Sequence, residues 1–251
     1  MSSLYRIAGI PFHSRLWACT AQNFRSGARS LPPEIAEAVI RASETDIFIT
    51  YVPSVRELMA MGDDMCAVDG VSSRVKDKLV QLVCTNLSAT AEESVEKALR
   101  GVQATKARLI KLEVLDDFKL IDREVLSATR QLQARGHRDV IPFVSCAAGV
   151  AEEMLSLGVP ALRVLASEIG SGRGIDFPQR VQQICAASPV PIIVEGGIGT
   201  PAHAVEAIRL GATAVLVNSA IITSADPVKT ATAFKAALTE NAVRPLATPA
   251  A

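Results

Sequence analysis

The stretch Leu109-Ile110-Lys111-Leu112-Glu113-Val114, the amphipathic segment Asp122–Arg135 that halts at Gly136, and the run Val140-Ile141-Pro142-Phe143-Val144-Ser145 read as strand, helix, strand. Short, nearly all-apolar runs suit strands buried on both faces, as in a parallel sheet covered by helices. The same alternation continues outward on the C-terminal side. A helix over Val150–Leu157 stops at Gly158, Leu162–Ala166 is a strand, and a helix follows near Pro178–Ala187. Pro191–Glu195 is a strand, Pro201–Leu210 a helix halted by Gly211, Thr213–Asn218 a strand, and Pro227–Leu238 a helix. Toward the N-terminus the pattern is looser: strands at Arg15–Cys19, Asp46–Tyr51 and Leu79–Cys84, helices at Pro33–Ala42 and Thr90–Val102.

That makes eight strands, the number that closes a (β/α)8 TIM barrel, and the 251-residue length is typical of that α/β fold. A single domain spanning 1–251 is expected, since no repeat or linker interrupts the chain. Leu4–Phe12, with a turn near Gly9-Ile10-Pro11, reads as a short N-terminal hairpin (within 1–12) covering the barrel bottom, and 239–251 as a flexible tail. Met59–Val75 carries glycines, acids and serines where a helix is due, and reads as a mobile loop serving as a lid. The rival topology is an open doubly wound sheet. The lack of G-x-G-x-x-G after an early strand counts against its dinucleotide-binding version.

Composition narrows the function. The chain is 49% hydrophobic and 21% charged with a net charge of +0, so no broad electrostatic attraction to nucleic acid or anionic membrane is expected. No apolar span is long enough to cross a bilayer and no secretory pattern opens the chain, which points to a cytoplasmic protein. Five scattered cysteines without C-x-x-C spacing read as free thiols in a reducing compartment. His13, His137 and His203 show no metal-ligand spacing, so neither a metal nor another cofactor is expected.

Strand alternation puts Lys111 and Glu113 on one face, with Ile110, Leu112 and Val114 on the other. A desolvated lysine loses its proton more readily and can then attack a carbonyl to form an imine. Spacing alone leaves this pair balanced between a structural ion pair and a catalytic one. Glu195 ends an apolar strand and would face the same mouth, where two carboxylates beside one lysine can divide acid and base roles. Capping of the following helix is its other reading. Glu195-Gly196-Gly197-Ile198-Gly199-Thr200 and Val217-Asn218-Ser219-Ala220 follow strands seven and eight, the usual phosphate site of a barrel. Tight helix–strand packing is the alternative. Gly170-Ser171-Gly172-Arg173-Gly174 after strand six is a third anion-friendly loop. Cys84 and Cys146 lie at strand ends, where a thiol could touch substrate, though a free cysteine is more often a small core residue. Trp17 is assigned to the core.

Four segments carry a resemblance to a known family. These are Ile110-Lys111-Leu112-Glu113-Val114, Ile169-Gly170-Ser171-Gly172-Arg173-Gly174, Val194-Glu195-Gly196-Gly197-Ile198-Gly199-Thr200 and Ala214-Val215-Leu216-Val217-Asn218-Ser219-Ala220-Ile221. They resemble the bacterial thiazole synthase family, strongly from about 108 to 238, and Phe12-His13-Ser14-Arg15-Leu16 is similar to the family's opening strand. The resemblance implies a TIM barrel and makes Lys111 the imine-forming lysine, with Glu113 and Glu195 as acid/base groups. It implies that Gly170, Ser171, Gly172, Gly197, Ile198, Gly199, Asn218 and Ser219 hold phosphate and substrate hydroxyls. It also implies a sulfur donor, the C-terminal thiocarboxylate of a small ubiquitin-like carrier protein, and a homo-oligomer.

The chain departs from the family at three strand ends. Glu195-Gly196-Gly197 stands for Asp-Ala-Gly, Cys19-Thr20-Ala21 for Gly-Thr-Gly, and Val83-Cys84-Thr85-Asn86-Leu87 for Pro-Asn-Thr-Ala-Gly. An altered pocket around a retained lysine points to a related but different sugar. The expected activity is therefore sulfur insertion into a hexose phosphate to give a 2-thiosugar phosphate. Thiazole synthase itself, using 1-deoxy-D-xylulose 5-phosphate, is the first alternative. A Schiff-base aldolase or lyase without sulfur chemistry is the second, and a non-catalytic phosphate-binding barrel the third.

Overall fold

The computed structural model describes residues 3–24, 27–52 and 79–241. Two short strands, β1 (Tyr5–Ile7) and β2 (Ile10–Phe12), form an antiparallel hairpin. Its turn is at Ala8-Gly9, one position earlier than the sequence suggests, with φ of 50° and 78°. After β3 (Leu16–Ala18) comes a second hairpin, β4 (Ala21–Phe24) and β5 (Gly27–Ser30), then helix α1 (Pro33–Ser43). Strands β6 (Ile47–Tyr51) and β7 (Val80–Cys84) precede helix α2 (Ala91–Thr105), which Thr90 caps by accepting from the Glu93 N–H at 3.2 Å.

Strand β8 (Leu109–Leu112) leads into a third hairpin, β9 (Leu115–Asp116) and β10 (Lys119–Leu120), and then helix α3 (Asp122–Ala134). The remaining units are β11 (Val140–Val144), α4 (Ala148–Ser156), β12 (Leu162–Leu165), α5 (Pro178–Ala187), β13 (Ile192–Glu195), α6 (Pro201–Arg209), β14 (Ala214–Val217), the one-turn α7 (Ser219–Ile222) and α8 (Pro227–Glu240). Helix α8 runs two residues into the segment read as a tail; 242–251, like the 59–75 loop read as a lid, lies outside the described residues.

Eight parallel strands pair in the order β3-β14-β13-β12-β11-β8-β7-β6 and curl into a nearly closed (β/α)8 barrel. Side chains bolt the seam between β3 and β6. The Thr45 hydroxyl accepts from the Ala18 N–H at 3.2 Å, and the Asp46 carboxylate accepts from the His13 and Ser14 N–H groups at 2.7 Å each. On the far end of the seam the Tyr51 hydroxyl donates to the Ala21 carbonyl at 2.9 Å.

Alternation divides the core in two. One face of each strand packs under the helices, as with Ile110, Leu112, Val164, Val194 and Val215. The other face fills the barrel, where Leu82, Leu109, Ile141 and Ile193 form a floor. The hairpin adds Ile7 and Phe12 to that floor, beside the fully buried Trp17, whose indole N–H donates to the Tyr5 hydroxyl at 2.8 Å. Tyr5 and Phe12 stack at 5.2 Å and Phe12 and Trp17 at 5.6 Å between ring centres.

Candidate active site

Above the floor the barrel interior changes character. The alternation that points Leu109 inward also points Lys111 and Glu113 inward, while β13 delivers Glu195 and β12 delivers Arg163 to the same layer. All four are buried, and Arg163 is fully so. Lys111 Nζ lies 2.8 Å from Glu113 Oε2 and 3.7 Å from Glu195 Oε1. Arg163 Nη1 bridges the same two oxygens, at 3.1 Å from Glu113 and 2.8 Å from Glu195. Its other nitrogens donate to the carbonyls of Leu112 (2.6 Å) and Ile141 (3.2 Å), with the guanidinium 4.9 Å from the centre of the Phe143 ring.

Two cations and two anions make the cluster neutral, which is what allows it to be buried. Such a layer is a poor way to gain stability, because apolar side chains of similar volume would usually do as well or better. The cluster lies toward the C-terminal side of the strands, the side on which barrel enzymes carry their active sites.

The cluster is held from outside. Thr85 and Glu113 exchange hydrogen bonds, the Thr85 hydroxyl donating to the Glu113 carbonyl and accepting from its N–H, each at 3.0 Å. Ser94 on α2 donates to the Thr85 hydroxyl at 2.9 Å. The Cys84 thiol donates to Glu113 Oε1 at 3.3 Å, so the strand-end thiol belongs to the charged cluster as well as to the barrel core. Burial, reinforced by the Glu113 charge, pushes that thiol up to about 12 and keeps it protonated at neutral pH.

Lys111 corrects an expectation. Burial, and then the Arg163 charge, push its pKa down, yet the opposing pull of Glu113 and Glu195 leaves it above the ordinary lysine value. The resting group is an ammonium. Glu113 shifts the other way. Burial raises its pKa, but Lys111 and Arg163 outweigh burial and hold the carboxyl below its usual range.

A cavity of about 270 Å³ opens above the cluster and is lined by Lys111, Glu113 and Glu195. Gly170, Gly172, Gly197, Ile198, Gly199, Asn218 and Ser219, expected at a phosphate site, all line it too. Ser171 instead turns to Ser167, oxygen to oxygen at 3.2 Å. Part of the glycine requirement is packing of loop on loop. Gly197 has a φ of 70° and a Cβ there would collide with the Ser167 hydroxyl, while a Cβ on Gly199 would sit 2.6 Å from Gly172 Cα. The Gly199 N–H is already taken by His203 Nδ1 at 3.3 Å, so that one amide is not offered to a ligand. His203 thus supports a loop. Phe118, at the tip of the β9–β10 hairpin, also reaches the cavity.

Arg163 is the residue that motif reading missed, although a charge within Ala161–Ala166 is the same signal that singled out Lys111. Among the described residues no group of three or more His, Cys, Asp or Glu could hold a metal ion, and no helix is long and apolar enough to cross a membrane.

Comparison with known proteins agrees with the geometry. The family model described as thiazole biosynthesis protein ThiG matches residues 6–249. A thiazole synthase of Porphyromonas gingivalis is 33% identical over 239 residues, covering 94% of this chain and 87% of the relative. One from Methylobacterium sp. is 36% identical over 237 residues, covering 92% and 83%. Among solved structures, the BexX/CysO complex of Amycolatopsis orientalis superimposes with a TM-score of 0.80 at 27% identity, covering 100% of both chains.

Proposed function

We propose that this chain, which belongs to the family of the thiazole biosynthesis protein ThiG, is a sulfur-inserting synthase that works through a lysine imine. The observation that carries the reading is the neutral four-charge cluster at the strand ends, opening on a cavity lined by the three loops that suit a phosphate. Lys111 condenses with carbon one of a sugar phosphate and releases water. A proton then leaves carbon two and another arrives at carbon one, converting the imine into an amino ketone. The carrier's thiocarboxylate sulfur attacks the new carbonyl at carbon two. The carboxylates beside Lys111 Nζ, Glu113 at 2.8 Å and Glu195 at 3.7 Å, are the two candidates for those transfers.

The phosphate sits against the loops at Gly170–Gly172, Gly197–Gly199 and Asn218-Ser219, which orients the sugar chain toward Lys111. Similarity to a protein crystallised as the BexX/CysO complex supports a second protein as partner. The substrate we favour is a hexose phosphate giving a 2-thiosugar phosphate, because Glu195 in the cavity lining, and Cys19 and Cys84 buried behind it, depart from the residues the family resemblance implies. The second reading is thiazole synthase proper, which the curated relatives favour.

Incubation with a hexose phosphate or with deoxyxylulose phosphate, borohydride trapping and peptide mass analysis separates the two. An adduct on Lys111 with the hexose phosphate alone supports the first reading, and one with deoxyxylulose phosphate alone supports the second. No adduct from either sugar removes both. Product formation that needs no thiocarboxylated carrier and cleaves a carbon–carbon bond would identify an aldolase instead.

A further inference from the structure

We infer that Arg163 is a positioning residue that divides the labour of the two carboxylates, fixing Glu113 as a permanent anion and leaving Glu195 to carry the proton that Lys111 releases. The inference rests on the lysine-imine reading above and goes beyond it by assigning the proton to one acid.

The groups facing Lys111 come from every side of the barrel. They are Cys84 from β7, Glu113 beyond β8, Arg163 from β12, Glu195 from β13 and Cys19 beyond β3, with Tyr51 from β6 lining the same cavity. Burial raises the pKa of Cys19, Tyr51 and Cys84, so none carries charge at neutral pH. The balance is therefore Lys111 and Arg163 against Glu113 and Glu195. Without Arg163 one ammonium would face two buried carboxylates, and a net negative pocket would hold the lysine proton more tightly. With Arg163 present the pocket stays neutral whether the mobile proton is on the amine or on one carboxylate.

The two carboxylates are not equivalent. Both Glu113 oxygens are occupied, Oε2 by Lys111 and Arg163 and Oε1 by the Cys84 thiol. Protonating Glu113 would disrupt those bonds. Glu195 uses only Oε1, which accepts from Arg163 at 2.8 Å. Its Oε2 is buried and has no hydrogen-bond partner among the described residues, so a proton there breaks nothing.

The step balances on this assignment. The Lys111 ammonium gives a proton to Glu195, the amine adds to the sugar carbonyl, and Glu195 returns that proton to the carbinolamine hydroxyl. Water leaves, the C–O bond breaks, and an iminium remains beside a regenerated carboxylate. Arg163 and Glu113 keep their charges throughout.

The test is the pH dependence of borohydride-trapped adduct on Lys111, read by mass. In Arg163→Met the limb that reports amine deprotonation is expected to move up by about one to two pH units, slowing trapping at neutral pH by about 10- to 100-fold. Arg163→Lys should return the limb toward wild type, because it restores the charge. If the single methionine variant does not fold, two neutral double variants carry the test. Arg163→Met with Glu113→Gln is expected to keep trapping adduct, and Arg163→Met with Glu195→Gln to trap it at least about tenfold more slowly. A folded Arg163→Met with an unmoved limb overturns the inference, as do double variants that trap at equal rates. Wild-type protein that traps no adduct overturns the imine reading itself, and the inference with it.

Discussion

Two layers of one barrel, built by the same strands two residues apart, follow opposite rules. In the floor, Leu82, Leu109, Ile141 and Ile193 join Phe12 and Trp17 in one apolar cluster. One step up, β8 presents Lys111, β12 presents Arg163 and β13 presents Glu195. The floor needs only shape and volume to be stable. The upper layer needs charge balance, since any one of its four groups left alone would be an unpaired buried charge. The contrast teaches that one barrel interior can hold a layer that needs only shape beneath a layer that needs charge balance.

The comparison can be broken most severely at Lys111. Lys111→Ala should abolish borohydride-trapped adduct and product formation, a loss on the order of 10³-fold or more in turnover. Retained activity would return the upper layer to a structural role.

Next in size are paired stability changes. Arg163→Met should cost about 3–5 kcal/mol by leaving a carboxylate unpaired. Leu109→Ala should cost about 2–5 kcal/mol by opening a cavity. Urea unfolding measures both, and only the first should also move the trapping profile along the pH axis. If Leu109→Ala moves that profile equally, the two layers are not separable.

Acid unfolding gives a smaller effect. The carboxyl of Glu113 is held down to about 2 from an ordinary 4.5, so its stabilising contribution is complete above the ordinary value and fades as pH falls toward the lower one. Over that window Glu113→Gln should flatten the pH dependence of stability, and an unchanged slope would contradict the ion pairing.

The smallest expected change is at the loops. Gly197→Ala should weaken sugar-phosphate binding by about tenfold in calorimetry, with partial recovery when Ser167→Ala removes the clashing hydroxyl. Equal affinity across the three proteins would separate the loop packing from ligand binding.

Most of the barrel was legible because doubly buried strands leave a compositional trace. All eight barrel strands, from Leu16–Ala18 to Ala214–Val217, lie within the expected runs, and so do most helices to within a few residues. The β9–β10 hairpin was not legible, because Asp117 and Phe118 adopt φ of 47° and 61° with no glycine to mark the turn. The β4–β5 hairpin was missed as well. In the site, Lys111, Glu113 and Glu195 followed from alternation and strand ends. Arg163 did not, although it is the same kind of signal as Lys111, a charge inside an apolar run. The occupied Gly199 N–H was also invisible, since His203 reaches it only through the cap of α6.

The hairpin floor bears on the order of events in the proposed reaction. With Ile7, Phe12 and Trp17 packed beneath Leu109, the described interior is closed from below and opens at the cavity above Lys111, the side from which the proposed reaction takes its sugar and its sulfur donor. On the proposed reading, the sugar is seated on Lys111 before the sulfur donor follows it in.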